Sequence, residues 1–168
     1  MVAKILQTAG LKAVACGNVG DTVIEAVDRK DSFDYLVLEL SSFQLHWAKH
    51  AHFVSAAILN IADDHLDWHG TFDAYADAKF SILDRADLAV LNADDQEVLT
   101  RANRFSGRKV FFSLDTPAPG EIGVVEELLV DRAFVTDPME AAMLCELKDI
   151  TPTVPHNVSN ALAAAALA

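Results

Sequence analysis

The chain has 168 residues and a net charge of −12, with 52% hydrophobic and 23% charged residues. That length suits one domain that buries roughly 70% of its unfolded surface, and the composition excludes intrinsic disorder. The negative charge disfavours non-specific nucleic-acid binding and docking to anionic membranes, and a phosphorylated ligand would need a metal ion or local cation to enter.

The predicted elements alternate helix and strand. Residues 1–9 carry helical apolar spacing, with Gly10 as a C-terminal stop. Residues 12–16 form a short strand. Gly17-Asn18-Val19-Gly20 is a turn, after which Asp21 or Thr22 can cap a helix through Val27. Residues 33–40 read as a strand whose continuous apolar middle suits cover on both faces, as in a parallel sheet. Residues 44–50 form a short helix and residues 54–61 a second buried strand. The helix at 71–85 places Phe72, Tyr75, Ala76, Phe80 and Leu83 on one face. A strand at 88–91, a helix at about 94–102 and a strand at 109–113 follow. After the Pro/Gly loop 115–120, the region 122–150 reads as short strands, paired as hairpins. Residues 151–155 are extended, and His156-Asn157 opens an Ala-rich helix. Repeated βα units predict an α/β fold with a mostly parallel sheet flanked by helices, plus a small antiparallel part near 122–150. Ligands in such folds bind beyond the carboxyl ends of the strands.

The two cysteines, Cys16 and Cys145, form no CxxC pair, so a reducing, cytoplasmic setting fits best. No apolar run reaches the roughly 18–20 residues that span a bilayer. The first residues lack signal-peptide anatomy. Residues 1–9 look like a helix without a start and residues 161–168 like one without a stop, so the chain is expected to be part of something longer.

Four polar constellations follow predicted strands or open a helix. Glu39-Leu-Ser-Ser-Phe-Gln44 ends an apolar strand with a carboxylate that either binds an oxygen-loving cation such as Mg²⁺ or reaches water while the serines cap the next helix. In Asn60-Ile-Ala-Asp-Asp-His-Leu-Asp-Trp-His69, carboxylates and imidazoles crowd one loop, a metal-site composition or a solvated acidic cap. Without cysteine it lacks the usual structural zinc set. Lys79 sits beside an apolar stripe, where lysines ordinarily snorkel to water. Asn157 and Asn160 share a helix face, and Asn amides match the adenine edge, although N-capping by Asn157 is the simpler role. His46 and His50 have the spacing of a helical zinc pair but no HExxH glutamate, and we read that spacing as chance. Asn92-Ala-Asp-Asp95 reads as a strand-to-helix cap. The glycine turn lacks the full GxGxxG pattern.

The order of these segments, from Gly17-Asn18-Val19-Gly20 through Leu38-Glu-Leu-Ser-Ser-Phe-Gln-Leu45, Leu59-Asn-Ile-Ala-Asp-Asp-His-Leu-Asp67, Tyr75-Ala-Asp-Ala-Lys79 and Asn92-Ala-Asp-Asp95 to His156-Asn157…Asn160, resembles the central domain of the Mur ligases over nearly the whole chain. The Glu-Leu-Ser-Ser-Phe-Gln-Leu run is most similar to the D-glutamate-adding members. The resemblance implies ATP and Mg²⁺ as cofactors. It implies UDP-N-acetylmuramoyl-L-alanine and D-glutamate as substrates, joined through an acyl phosphate in peptidoglycan synthesis. Glu39 and His65 would be Mg²⁺ ligands, with His65 also in the catalytic group. Lys79 would be the lysine the family carbamylates, a role its sequence context does not suggest. Asn18, Ser41, Ser42 and Gln44 would line the substrate pocket, and Asn157 and Asn160 would hold the adenine.

The family's phosphate-binding loop does not occur within the 168 residues: there is no G-x-x-x-x-G-K-[ST]. Val154-Pro155 stands where the family usually carries Gly. The expectation is a partial central domain over residues 1–168, lacking the first strand and phosphate loop and the family's N-terminal UDP-binding and C-terminal domains, and inactive alone. The alternatives are another Mur or folylpolyglutamate synthetase-like ligase, or a non-catalytic α/β module without the phosphate loop.

Overall fold

The computed structural model describes residues 1–30, 32–137 and 139–168. Its strands form two sheets. The first pairs β1 (Ala13–Gly17) with β2 (Tyr35–Glu39) in parallel, from Ala13 opposite Tyr35 to Gly17 opposite Glu39. The second has six strands in the order β3 (Phe53–Ile58), β4 (Ala86–Asn92), β5 (Arg108–Phe112), β6 (Glu121–Val125), β7 (Leu128–Asp131) and β8 (Ala142–Glu146). Pairing is parallel from β3 to β6 and antiparallel from β6 to β8. The mostly parallel α/β fold and the antiparallel part near 122–150 are therefore as expected.

Period-two alternation in β4 divides the core of the larger sheet. Ala89 and Leu91 face Ile58, Ile61, Tyr75, Ala76, Val98 and Ala102. Val90 faces the other way, toward Val110, Phe112, Ile122, Val158 and Leu162. Helices α5 (Phe72–Phe80) and α6 (Gln96–Ala102) cover the first face, and α7 (Pro155–Leu167) covers the second. The remaining helices are α1 (Val2–Thr8), α2 (Val23–Asp28), α3 (Ser42–Trp47) and α4 (Leu66–His69). Contacts tie α1 to β1, β2 and α7, and α2 to β1.

Several boundaries differ from the sequence reading. The β2 run is open rather than covered on both faces: Tyr35 is 43% and Leu36 36% exposed. Among the described residues β2 pairs only with β1, so its apolar content exceeds the cover it receives. Helix α3 starts at Ser42 because Ser41 and Gln44 close a capping box, each accepting from the other's backbone N–H. The 71–85 helix ends at Phe80, and residues 83–85 form a 3₁₀ turn. The Ser81 hydroxyl donates to the Ala78 carbonyl at that break. The last helix opens at Pro155, whose missing N–H costs nothing in the first turn. Thr22, rather than Asp21, caps α2, in a capping box with Glu25.

Candidate functional site

The carboxyl ends of β1 and β2 meet closely. The Asn18 N–H donates to the Glu39 carbonyl at 2.7 Å, and Asn18 Nδ2 donates to Glu39 Oε1 at 3.4 Å. Gly17 makes this approach possible. Its φ is +124°, and a Cβ there would lie 2.3 Å from the Glu39 carbonyl oxygen. The exposed Glu39 carboxylate therefore sits at the strand end beside the Asn18 side-chain amide, which donates to it.

Three helices then assemble a ring of aromatic and imidazole side chains. Phe43 of α3 packs on His65 at 4.8 Å between centroids, on Trp68 at 5.0 Å and on His69 at 5.8 Å. Tyr75 of α5 closes the other side, 6.4 Å from His65 and 5.4 Å from His69. His65 itself adopts a left-handed conformation, φ 51°, as the residue that caps α4. Such a conformation is uncommon for a residue other than Gly, although His adopts it more readily than most, as Asn and Asp do. Its Nε2 lies 3.3 Å from Asp64 Oδ2.

Lys79, half-buried on the last turn of α5, places Nζ 5.5 Å from the Tyr75 ring centroid. No carboxylate among the described residues forms an ion pair with it. Tyr75 is thus the common neighbour of His65 and Lys79, which are 14 positions apart in sequence.

Ser42 is buried, and its Oγ shares a 2.9 Å hydrogen bond with His69 Nε2. Burial, with the cationic forms of His65 and His46 nearby, lowers the His69 pKa from its ordinary value, and Asp67 opposes this. A neutral His69 is suited to a fixed hydrogen bond with a hydroxyl. Ser41 and Gln44 spend their side chains on the α3 capping box. Asn157 Nδ2 donates to the Pro152 carbonyl at 3.0 Å, and Asn160 is exposed one turn further along α7.

The structure therefore joins Asn18 with Glu39, joins His65 with Lys79 through Tyr75, and leaves Asn157 and Asn160 as a separate group on α7. Phe43 and Tyr75, which pack on His65, lay inside segments the sequence singled out, but neither was named as a candidate site residue. The ion cluster around Arg101 was not anticipated. Arg101 of α6 donates to Asp73 at 2.5 Å, Asp77 at 2.9 Å and Glu97 at 3.3 Å, and its side chain is only 7% exposed. Two of those carboxylates lie on α5, the helix that carries Lys79.

The chain as a whole is similar to known proteins. The Mur ligase middle domain family matches residues 1–168. The UDP-N-acetylmuramoylalanine–D-glutamate ligase of Thermobifida fusca is 49% identical over 174 residues, covering 100% of this chain and 37% of that protein. The ligase of the same name from Streptomyces coelicolor is 48% identical, with the same coverage. The chain thus spans just over a third of the length of these curated relatives. Among solved structures, a MurF ligase from Thermotoga maritima in complex with ADP superposes with a TM-score of 0.63 at 17% identity, over 98% of this chain and 40% of that one. A pseudomurein peptide ligase type C from Methanothermus fervidus gives 0.63 at 18%, over 99% and 42%. At these identities the structural likeness concerns the fold.

Proposed function

The chain belongs to the Mur ligase middle domain family, and from that premise we propose that it works as the central, nucleotide-handling domain of a longer ATP-dependent ligase. The ligase joins D-glutamate to UDP-N-acetylmuramoyl-L-alanine in the cytoplasm during peptidoglycan synthesis. The observation that carries this reading is the 48–49% identity, over the whole chain, to ligases named for that reaction. The ADP complex of the Thermotoga maritima relative supports nucleotide use.

The chemistry follows from the weakness of a carboxylate as an acyl donor. The substrate carboxylate attacks the γ-phosphorus of ATP, ADP leaves, and an acyl phosphate forms. The D-glutamate amine then attacks the acyl carbon, and the tetrahedral intermediate collapses to amide and phosphate. Both steps concentrate negative charge. With a net charge of −12, the chain meets that charge poorly without a cation.

Among the described residues, no three His, Cys, Asp or Glu side chains are placed to hold a metal ion by themselves. Mg²⁺ is commonly bound through one or two carboxylates, with water and substrate phosphates completing its shell. The exposed Glu39 carboxylate fits that partial donor set, and His65 would join directly or through water. When bound, Mg²⁺ neutralises charge on the transferring phosphoryl group.

This chain's own residues do the positioning. Asn18 holds Glu39 at the strand end and presents its amide to the substrate. Phe43 and Tyr75 fix the His65 ring. Lys79, carbamylated, carries an anion toward the same region. Ser42 orients His69 at the pocket wall. Asn157 and Asn160 face the adenine.

Phosphate release by the ligase that carries these 168 residues tests the reading. Release is expected only when ATP, UDP-N-acetylmuramoyl-L-alanine and D-glutamate are all present. Equal release with L-lysine or D-alanyl-D-alanine in place of D-glutamate would sink the substrate assignment. The 168 residues alone contain no G-x-x-x-x-G-K-[ST] phosphate loop and are expected to release none.

A further inference from the structure

The candidate site is split between the loop after β3, which carries His65, and helix α5, which carries Lys79. Their separation must be held by something. Helix α6 supplies none of the candidate site residues, yet it bonds to both parts.

At its N-terminus, Asp95 Oδ1 accepts from the Val98 N–H at 2.9 Å, the ordinary cap. The other oxygen, Oδ2, accepts from the Ile61 N–H at 3.2 Å, 34 residues away and four residues before His65. Asn92, three residues before the cap, donates from Nδ2 to the Leu59 carbonyl at 2.8 Å. The start of the His65 loop is therefore pinned at residues 59 and 61 to the turn that begins α6.

At the other end of α6, Arg101 reaches α5. Its Nη2 donates to Asp73 and its Nη1 to Asp77, while Nε donates to Glu97 on its own helix. The guanidinium also lies over the Phe72 ring, 5.6 Å from its centroid. Asp73 and Asp77 are four residues apart, so they lie one above the other on one face of α5. A planar fork that bonds both fixes the rotation of α5 as well as its distance. Sliding α5 by one residue would turn that face by about 100° and lose the pair. Burying a guanidinium is costly where an apolar side chain of similar volume would pack, and specifying a register is the best-attested reason to retain such a charge.

We infer that α6 is a brace, and that Asp95 and Arg101 are positioning residues that set the distance between the His65 loop and the Lys79 helix. The geometry stands on its own hydrogen bonds. Its kinetic consequence rests on the ligase reading above.

Two variants separate the brace from plain stability. Asp95→Asn keeps a good cap, but an amide offers one acceptor where the carboxylate offers two, so Ile61 loses its partner. Arg101→Lys keeps the charge and loses the fork. Hydrogen exchange, read on peptides spanning residues 59–65 and 96–99, and steady-state kinetics are measured on the same wild-type and variant proteins. In Asp95→Asn, exchange at 59–65 is expected to rise on the order of 10-fold while 96–99 stays protected. The value of kcat is expected to fall about 10- to 100-fold with KM for ATP unchanged, the pattern of an outer residue that orients an inner one. Arg101→Lys is expected to show the same fall in kcat. Unchanged exchange at 59–65 in Asp95→Asn, or unchanged kcat in both variants of an active enzyme, overturns the inference. If the wild-type protein does not ligate, the ligase reading falls, and the exchange result alone decides the brace.

Discussion

Replacing Lys79 with alanine is expected to lower ATP-dependent ligation by roughly 10²- to 10³-fold, the usual cost of removing one group that stabilises developing charge. The substitution should leave the fold intact. Lys79 sits on the last turn of α5, where alanine is a better helix former. Its neighbour is the Tyr75 ring at 5.5 Å, and an interaction of that kind contributes about 0.5–2 kcal/mol between an exposed and a desolvated site. Loss of activity therefore could not be ascribed to unfolding. Lys79→Arg makes the prediction sharper. Arginine keeps the positive charge but does not form the carbamate that the amine forms with carbon dioxide. If Lys79 acts as a carbamate, the arginine variant should be as inactive as the alanine variant. Incubation with ¹³C-bicarbonate should give a carbamate carbon signal in the wild-type protein that both variants lack. An alanine variant that keeps activity within about fivefold of wild type, against the 10²-fold minimum expected, would remove Lys79 from the mechanism.

The largest expected loss of stability is at Leu162. It is 0% exposed on α7 and packs with Val90, Val110, Phe112, Ile122 and Leu129. Leu162→Ala is expected to cost about 3 kcal/mol, from lost burial plus the cavity left behind. For a chain of this size that corresponds to a fall of about 6–12 °C in Tm. The neighbouring Ala163 and Ala166 are nearly buried already, and their small size lets α7 lie close on the sheet. On α7 itself the adjacent residues are too small to fill the gap, and the facing side chains are already buried on the sheet, which places the cost in the middle of its usual range rather than at the bottom. A thermal melt that falls by less than 2 °C would show that α7 is not the cover of that face. The consequence for the proposed site is direct, because Asn157 and Asn160 occupy the first turns of the same helix.

The apolar runs were the readable part of this fold. The strands at β3 and β4 are continuous enough in Val, Ala, Leu and Ile to be recognised, and the loops that follow them hold the polar clusters where a parallel sheet puts its ligands. The run at 33–40 misled for a physical reason. Apolar content reports what a strand could bury, whereas burial depends on which elements lie beside it, and β2 has only β1 as a paired neighbour among the described residues. The short α4 was also missed, because four residues are too few for a helical period to register and because its entry depends on the left-handed His65.

The site was legible unevenly. Asn18 and Glu39 were visible as a turn and a strand end, and the structure places them in contact. The serines after Glu39 could be read as caps of the next helix, and Ser41 does cap it, in a box with Gln44 that the sequence reading did not anticipate. Lys79 carried no signal of its own, since its setting on α5 is that of many surface lysines. What singles it out in three dimensions is Tyr75, which lies between it and His65. The Arg101 cluster was invisible because its carboxylates at Asp73 and Asp77 are 24 to 28 residues away and nothing local marks the pairing.

The proposed reaction passes through an acyl phosphate made at the expense of ATP. The direct test supplies UDP-N-acetylmuramoyl-L-alanine with ¹⁸O in its terminal carboxylate to the ligase that carries this chain, together with ATP and D-glutamate. The released phosphate is then analysed by mass. Transfer of a carboxylate oxygen to phosphorus predicts one ¹⁸O in the phosphate for each amide formed. Phosphate free of ¹⁸O, released at the same rate as amide formation, would rule out the acyl phosphate.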